Sequence, residues 1–178
     1  MKYRRPKRFD ANLIVIGAGS AGLISSLIAA TVRAKVTLIE RSRMGGDCLN
    51  TGCVPSKTLI RSAKIAHYLK DARRYGLQNV SGEVDFGAVM QRVRDAIATI
   101  APNDSIERFT SLGVDCVTGT ARILDPWTVE VDGRRICGRN IVLATGAVPF
   151  VPPIPGIADV GALTSDDVWT LRELPRRL

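Results

Sequence analysis

Apolar residues first gather at Asn12–Ile16, a short β-branched run that predicts a buried parallel strand. The turn Gly17-Ala18-Gly19-Ser20-Ala21-Gly22 follows, and Leu23 to Arg33, rich in small residues, predicts a helix. Val36–Ile39 is the next apolar run and ends on Glu40. Strand, glycine turn, helix and strand in that order form the βαβ unit of a dinucleotide-binding fold. Pro55 suits the first turn of a helix, where its missing N–H costs nothing. The pattern then predicts helix from Lys57 to Arg74, stopping near Gly76. A second long helix is expected over Phe86–Leu112, with Val89, Val93, Ile97 and Ile100 on one face and Pro102-Asn103 kinking or dividing it.

After Gly113 the period shortens. Val114–Val117, Ala121–Leu124, Thr128–Val131 and Arg135–Cys137 are strand candidates, separated by Gly119, Asp125-Pro126 and Asp132-Gly133. They predict a small antiparallel sheet inserted in the parallel fold. Asn140–Ala144 returns to a buried apolar strand followed by Thr145-Gly146; Pro149 to Pro155 reads as an extended connector, and Asp166 to Leu174 as a short helical piece. The chain has no internal repeat. The expected fold class is α/β: a Rossmann-like domain with a parallel central sheet and a small inserted antiparallel β-sheet.

Composition narrows the partners. A chain of 178 residues with 46% hydrophobic and 24% charged residues is an ordinary globular domain. Aromatic content of 5% argues against a carbohydrate site or a base-stacking platform. The net charge of +8 points to an anionic partner, nucleic acid or membrane surface. The basic residues are scattered, however, apart from Lys2, Arg4, Arg5, Lys7 and Arg8 in the tail and Arg176-Arg177 at the end. Scattered charge is usually a solvated face, so no nucleic acid is expected. Ala11 to Val32 lacks charge and follows a basic stretch, as an export signal or membrane helix would. Gly17, Gly19, Gly22, Ser20, Ser25 and Ser26 interrupt it, and a second strand ending in Glu40 follows. That sequel has no place in an export signal; stable membrane insertion is not expected, and the expected location is cytoplasmic.

A lone G-x-G-x-x-G is weak evidence, but here it follows a strand and opens a helix, with Glu40 eighteen residues past Gly22. Glycines let backbone N–H groups approach a pyrophosphate at the positive end of the helix dipole. Glu40 suits a ribose hydroxyl and repels a 2′-phosphate, so the site is not built for NADP. The pattern alone leaves NAD and FAD open.

The segment Gly45-Gly46-Asp47-Cys48-Leu49-Asn50-Thr51-Gly52-Cys53-Val54-Pro55-Ser56-Lys57 is the most specific in the chain, with four residues between its cysteines. Cys53 opens a helix, with Lys57 one turn on, an arrangement that favours a thiolate. A merely structural bridge or a zinc half-site is the bland alternative, and no second ligand pair supports the zinc. Cys116 and Cys137 lie in apolar, strand-like sequence and read as small buried side chains. His67 stands fourteen residues after Cys53, roughly 21 Å along a continuous helix, too far to act as base for the thiols.

This run closely resembles the redox-active disulfide of the pyridine nucleotide–disulfide oxidoreductases, the family of glutathione reductase, dihydrolipoyl dehydrogenase and mercuric reductase. Its Asp-Cys-Leu-Asn-Thr-Gly-Cys is most similar to mercuric-reductase-like and dihydrolipoyl-dehydrogenase-like members. The resemblance implies FAD as cofactor, with NAD(P)H used only by the full-length enzyme. It implies cofactor contacts from Gly17, Gly19, Ser20, Ala21, Gly22, Glu40, Arg41, Gly46, Asp47, Cys48, Lys57, Thr120, Ala121, Ala144, Thr145 and Gly146. Gly119-Thr120-Ala121 would lie against the adenine, and Ala144-Thr145-Gly146 would form a second flavin contact, with Pro152-Pro153-Ile154-Pro155-Gly156 continuing the similarity. Catalytic roles fall to Cys53 facing the flavin, Cys48 exchanging with a disulfide substrate, and Lys57 supporting reduced flavin. Asp47 departs from the threonine common at its place, and a carboxylate beside a pyrophosphate calls for a bridging cation or water.

The implied organisation is a basic tail at 1–10, a FAD-binding domain with a redox disulfide at 11–150, and a connector at 151–178 toward an NAD(P)H domain. Such enzymes continue with that domain and an interface domain bearing a His–Glu pair, and the full-length enzyme is expected to be a homodimer. The chain is therefore expected to be a fragment with little turnover alone. Two rivals differ in class: an autonomous flavin electron carrier reduced by a partner, and a non-enzymatic redox-sensing module whose basic surface binds an anion.

Overall fold

In the computed structural model, which describes residues 3–176, strand β1 (Ala11–Ile16) is the central pairing element. Lys2 and Arg177 of the basic ends lie outside the described residues. The chain divides into two units: the described residues up to Cys48 with Ala101–Ala147, and Leu49–Ile100 with the residues from Val148 onward.

In the first unit, β1 pairs in parallel with β2 (Val36–Glu40), Leu13 opposite Val36, and with β6 (Arg134–Leu143), Ala11 opposite Gly138. β3 (Val114–Thr118) pairs in parallel with β2, while β4 (Ala121–Ile123), β5 (Thr128–Val131) and β6 form an antiparallel ribbon. The sheet order is β3-β2-β1-β6-β5-β4. The unbroken apolar run of β1 follows from burial on both faces. Val15 packs with Leu23, Leu38, Phe109 and Val114, whereas Ile14 packs with Ile39, Val129, Val131 and Ile136. Helix α1 (Ser20–Thr31) supplies Leu23 to the first cluster and α5 (Ile106–Ser111) supplies Phe109.

Several boundaries differ from the sequence pattern. The segment Val114–Val117, expected in the antiparallel insert, lies in β3 and extends the parallel sheet, because its apolar residues are needed against β2 and α5. The expected strands Arg135–Cys137 and Asn140–Ala144 are one strand, β6, which changes partner midway. Residues 134–137 face β5 in antiparallel register, and from Gly138 the strand runs parallel to β1. At that switch Gly138 is buried, and a Cβ there would lie 2.6 Å from Ile14 Cγ1.

In the second unit, α3 (Cys53–Lys70) packs on α4 (Phe86–Ile100), and Arg92 Nη1 donates to the Thr58 carbonyl at 2.9 Å. α3 gives way to a 3₁₀ turn at Ala72–Tyr75, closed by left-handed Gly76, so the helix ends before Arg74. The single helix expected over Phe86–Leu112 is divided as Pro102 requires: α4 ends at Ile100, a 3₁₀ turn covers Ala101–Asp104, and Ser105 caps α5 by accepting from the Arg108 N–H. On α4 Val93 is buried, Val89 and Ile97 are half-buried, and Ile100 is exposed. The helical piece expected over Asp166–Leu174 is a 3₁₀ turn at Val168–Thr170. No helix among the described residues is long and apolar enough to cross a membrane.

Because Ile14 fills the space a side chain at 138 would need, Gly138→Ala should destabilise the protein by about 1–3 kcal/mol in urea unfolding. The Ile14→Ala background, which lacks the colliding atoms, should remove most of that penalty in a double-mutant cycle.

Candidate cofactor cradle and cysteine segment

Within the first unit, β1, β2 and β6 bring the predicted segments to one end of the parallel sheet. Gly17 leaves β1 with φ of +102°, and its N–H donates to the Ile39 carbonyl at 2.8 Å. A Cβ on Gly17 would stand 2.2 Å from the Ala144 carbonyl oxygen and 3.2 Å from Thr145 Cα. The two segments are thus in backbone contact, and the Ala144 N–H donates to the Ile16 carbonyl at 2.8 Å. Gly22 lies against the Gly17 carbonyl, leaving no space for a side chain and drawing the start of α1 onto the strand. Gly19 caps α1 without a side-chain hydrogen bond, and no acidic residue stands in the first turn. Ser20 and Ala21 are exposed there, as are Thr145 and Gly146 across from them. Backbone amides at a helix start whose first turn holds no acidic residue suit a pyrophosphate. The residues present therefore fit the phosphate-bearing part of a dinucleotide.

Glu40 ends β2 and does more than the sequence indicates. One carboxylate oxygen accepts from the Ala18 N–H at 2.7 Å, inside the glycine turn, and the other accepts from the Ser42 N–H at 2.8 Å. Each oxygen keeps a lone pair for a further donor such as a ribose hydroxyl. Its own carbonyl accepts from the Gly119 N–H at 2.9 Å, which places Thr120 and Ala121 beside the end of β2. Arg41 follows, exposed.

The chain returns to the cradle at Gly45, whose N–H donates to the Ala18 carbonyl at 2.9 Å. Gly46 packs so closely on Gly19 that a Cβ would lie 2.6 Å from Gly19 Cα. Helix α2 (Gly46–Asn50) starts at this contact and carries Asp47 and then Cys48. Asp47 Oδ2 lies 3.9 Å from where a Gly146 Cβ would stand, so a carboxylate borders both phosphate-side segments. Cys48 is half-buried, two residues past the contact with Gly19.

The second unit holds Cys53 and Lys57. Cys53 is the first residue of α3, exposed, with Gly52 as an N-cap that offers no side chain and no acidic residue in the first turn. Lys57 is exposed one turn later on the same face. Just before the helix, the Thr51 carbonyl accepts from the Trp169 indole N–H at 2.9 Å, and that N–H is shared with the Ser165 carbonyl at 2.7 Å. Trp169 was not singled out by sequence; only its rarity in the chain marked it.

The remaining titratable residues fall outside the cradle. Cys116 and Cys137 are half-buried on β3 and β6, and burial pushes both thiols above their ordinary value. His67 pairs with Asp71 at 3.4 Å on an exposed face of α3. Among the described residues no group of three metal-ligating side chains forms.

A family model described as pyridine nucleotide-disulphide oxidoreductase matches residues 11–178. A mercuric reductase of Lysinibacillus sphaericus is 36% identical over 167 residues, covering 94% of this chain and 31% of that protein. A dihydrolipoyl dehydrogenase of Mycoplasma pneumoniae is 34% identical over 180 residues, covering 94% of this chain and 37% of its own length. Among solved structures, the HOCl-induced flavoprotein disulfide reductase RclA from Escherichia coli superposes with a TM-score of 0.76 at 30% identity, covering 92% of this chain and 35% of RclA. The chain thus spans about a third of the length of the curated relatives it matches.

The two backbone bonds to Glu40 generate a test of its structural share. Glu40→Gln replaces one acceptor with a donor aimed at an N–H, and should cost about 1–2 kcal/mol of stability without any cofactor added. If Glu40 served a ribose alone, thermal and urea unfolding of the cofactor-free variant would match wild type.

Proposed function

We propose what the chain does from one premise: it belongs to the pyridine nucleotide-disulphide oxidoreductase family. The family is FAD-dependent, and the chain is the FAD-binding part of a flavoprotein disulfide oxidoreductase. In the reading favoured here, Gly17, Gly19, Ser20, Ala21 and Gly22 hold the FAD pyrophosphate, Glu40 the ribose, and Thr120-Ala121 the adenine side. Ala144, Thr145 and Gly146, with Arg41, Gly46 and Asp47, close the other rim. The observation that supports this reading is the contact of Gly46 with Gly19, where α2 begins, with Cys48 two residues further along it.

FAD held by these residues would supply an electron pair, taken from NAD(P)H in a full-length enzyme, to the Cys48–Cys53 pair. The start of α3, where the N-cap Gly52 offers no side chain, favours negative charge on Cys53, and Lys57 adds a cation one turn on. In the dithiol form the Cys48 thiolate attacks one sulfur of a substrate disulfide, and the other sulfur leaves as a thiolate. The Cys53 thiolate then attacks the Cys48 sulfur, which releases the second substrate thiol and restores the internal disulfide. Two electrons pass to the substrate, and the two protons lost when Cys48 and Cys53 become thiolates end on the two substrate thiols. A soft metal ion is the second substrate class: the same thiolates would ligate it. The names mercuric reductase and dihydrolipoyl dehydrogenase among the relatives support one class each. The division into tail, FAD domain and connector at residues 10 and 150, the homodimer of a longer enzyme and a cytoplasmic setting belong to the same proposal.

Titrating the apoprotein with FAD should shift the flavin spectrum and raise the melting temperature; no binding at about tens of micromolar FAD would overturn the assignment, because even modest site occupancy gives a thermal shift. After reduction, Cys53→Ser should lack the long-wavelength thiolate–flavin absorbance that Cys48→Ser retains. The opposite result would exchange the two cysteine roles.

A further inference from the structure

The cradle formed by Gly17, Glu40 and Ala144 lies at the C-terminal ends of parallel strands β1, β2 and β6, so their N-terminal starts share the opposite edge. At that opposite edge, three segments are joined by hydrogen bonds. The Asp10 N–H donates to the Cys137 carbonyl at 2.8 Å, the Asn12 N–H to the Lys35 carbonyl at 2.8 Å, and the Lys35 N–H to Asn12 Oδ1 at 2.8 Å. Each segment brings exposed basic side chains: Arg4, Arg5, Lys7 and Arg8 ahead of β1, Arg33 and Lys35 ahead of β2, and Arg139 on β6. Among the described residues the ion pairs are His67–Asp71, Arg122–Glu130, Arg135–Glu130 and Arg134–Asp115, none of which uses these cations. The acids nearby have partners of their own: Asp10 accepts from the Cys137 N–H at 2.9 Å, Asp125 accepts from the Trp127 N–H at 2.8 Å, and Asp115 faces Arg134 at 3.7 Å.

Phe9 fastens the tail to this edge. Its ring receives the Arg5 guanidinium at 5.8 Å and the Arg139 guanidinium at 6.0 Å, which gathers like charges on one aromatic. Such a gathering is relieved by an opposing anionic surface. The surface lacks what nucleic acid would need: residues 3–10 form no helix for a groove, and Phe9 is engaged by arginines rather than open to a base. Tyr3, beside Arg4 in the tail, is 55% exposed, an amphipathic ring of the kind enriched at lipid headgroups. We propose that this edge docks the protein peripherally on an anionic phospholipid bilayer, with the cofactor cradle on the side facing away from the lipid. Attraction of clustered cations to acidic headgroups supplies the affinity.

Sedimentation of the full chain with phosphatidylcholine vesicles containing about 30% phosphatidylserine tests this, with pure phosphatidylcholine as control. Binding is expected to the acidic vesicles only, with release near about 0.5 M salt. Replacing Arg4, Arg5, Lys7 and Arg8 together with serine should weaken binding by more than about tenfold. Lys35→Ser with Arg139→Ser, leaving the tail intact, should weaken it several-fold. Circular dichroism and FAD affinity should stay at wild-type values in both, so failure of this proposal and failure of the flavin assignment are separately visible. The proposal is overturned if wild type ignores acidic vesicles, if either variant binds like wild type, or if duplex DNA outcompetes the vesicles at equal salt.

Discussion

The contact of the Gly17 backbone with Ala144 is the constraint on which the first unit's arrangement turns. It joins the ends of β1 and β6 so closely that any side chain at position 17 would occupy the Ala144 carbonyl. Gly22 then brings α1 down on the same point, and Gly46 brings the following loop back to Gly19. Three chain segments far apart in sequence meet through backbone alone. A surface built from backbone presents N–H groups with little steric cover, which is what an anionic diphosphate needs and what side chains would obstruct.

β6 shows how one strand can join the antiparallel and parallel parts of a single sheet. Its first residues pair antiparallel with β5 and its later ones parallel with β1, and Gly138 marks the exchange, where Ile14 packs in place of a side chain. The antiparallel ribbon covers the Ile14 face of the sheet through Val129, Val131 and Ile136. The same strand ends at Ala144, so packing on one face and the position of the cradle are coupled through a single element.

Polar groups join what burial brings near. Glu40 links the end of β2 to the glycine turn through Ala18 and to the next loop through Ser42, holding the turn's shape before any ligand arrives. Trp169 ties the Thr51 carbonyl ahead of α3 to the connector, so the residues leading into Cys53 are positioned by a side chain over a hundred residues later. Cys116 and Cys137 show the opposite case, thiols that burial disfavours as thiolates and that sit away from the cradle.

The βαβ start and the glycine turn, with Glu40 at the end of the second strand, were legible in the sequence, because each is a local pattern whose spacing carries its physics. The helix that begins at Cys53 was equally visible, since Pro55 and the apolar positions lie within a few residues of each other. The partner of Val114–Thr118, the fusion of two expected strands into β6 and the division of Phe86–Leu112 between two units were not. A short apolar strand looks alike in a parallel or an antiparallel setting; only the neighbours that bury it decide. The second tasks of Glu40 and the role of Trp169 were likewise settled by tertiary contact, because a hydrogen bond across many residues leaves no periodic trace in the chain that makes it.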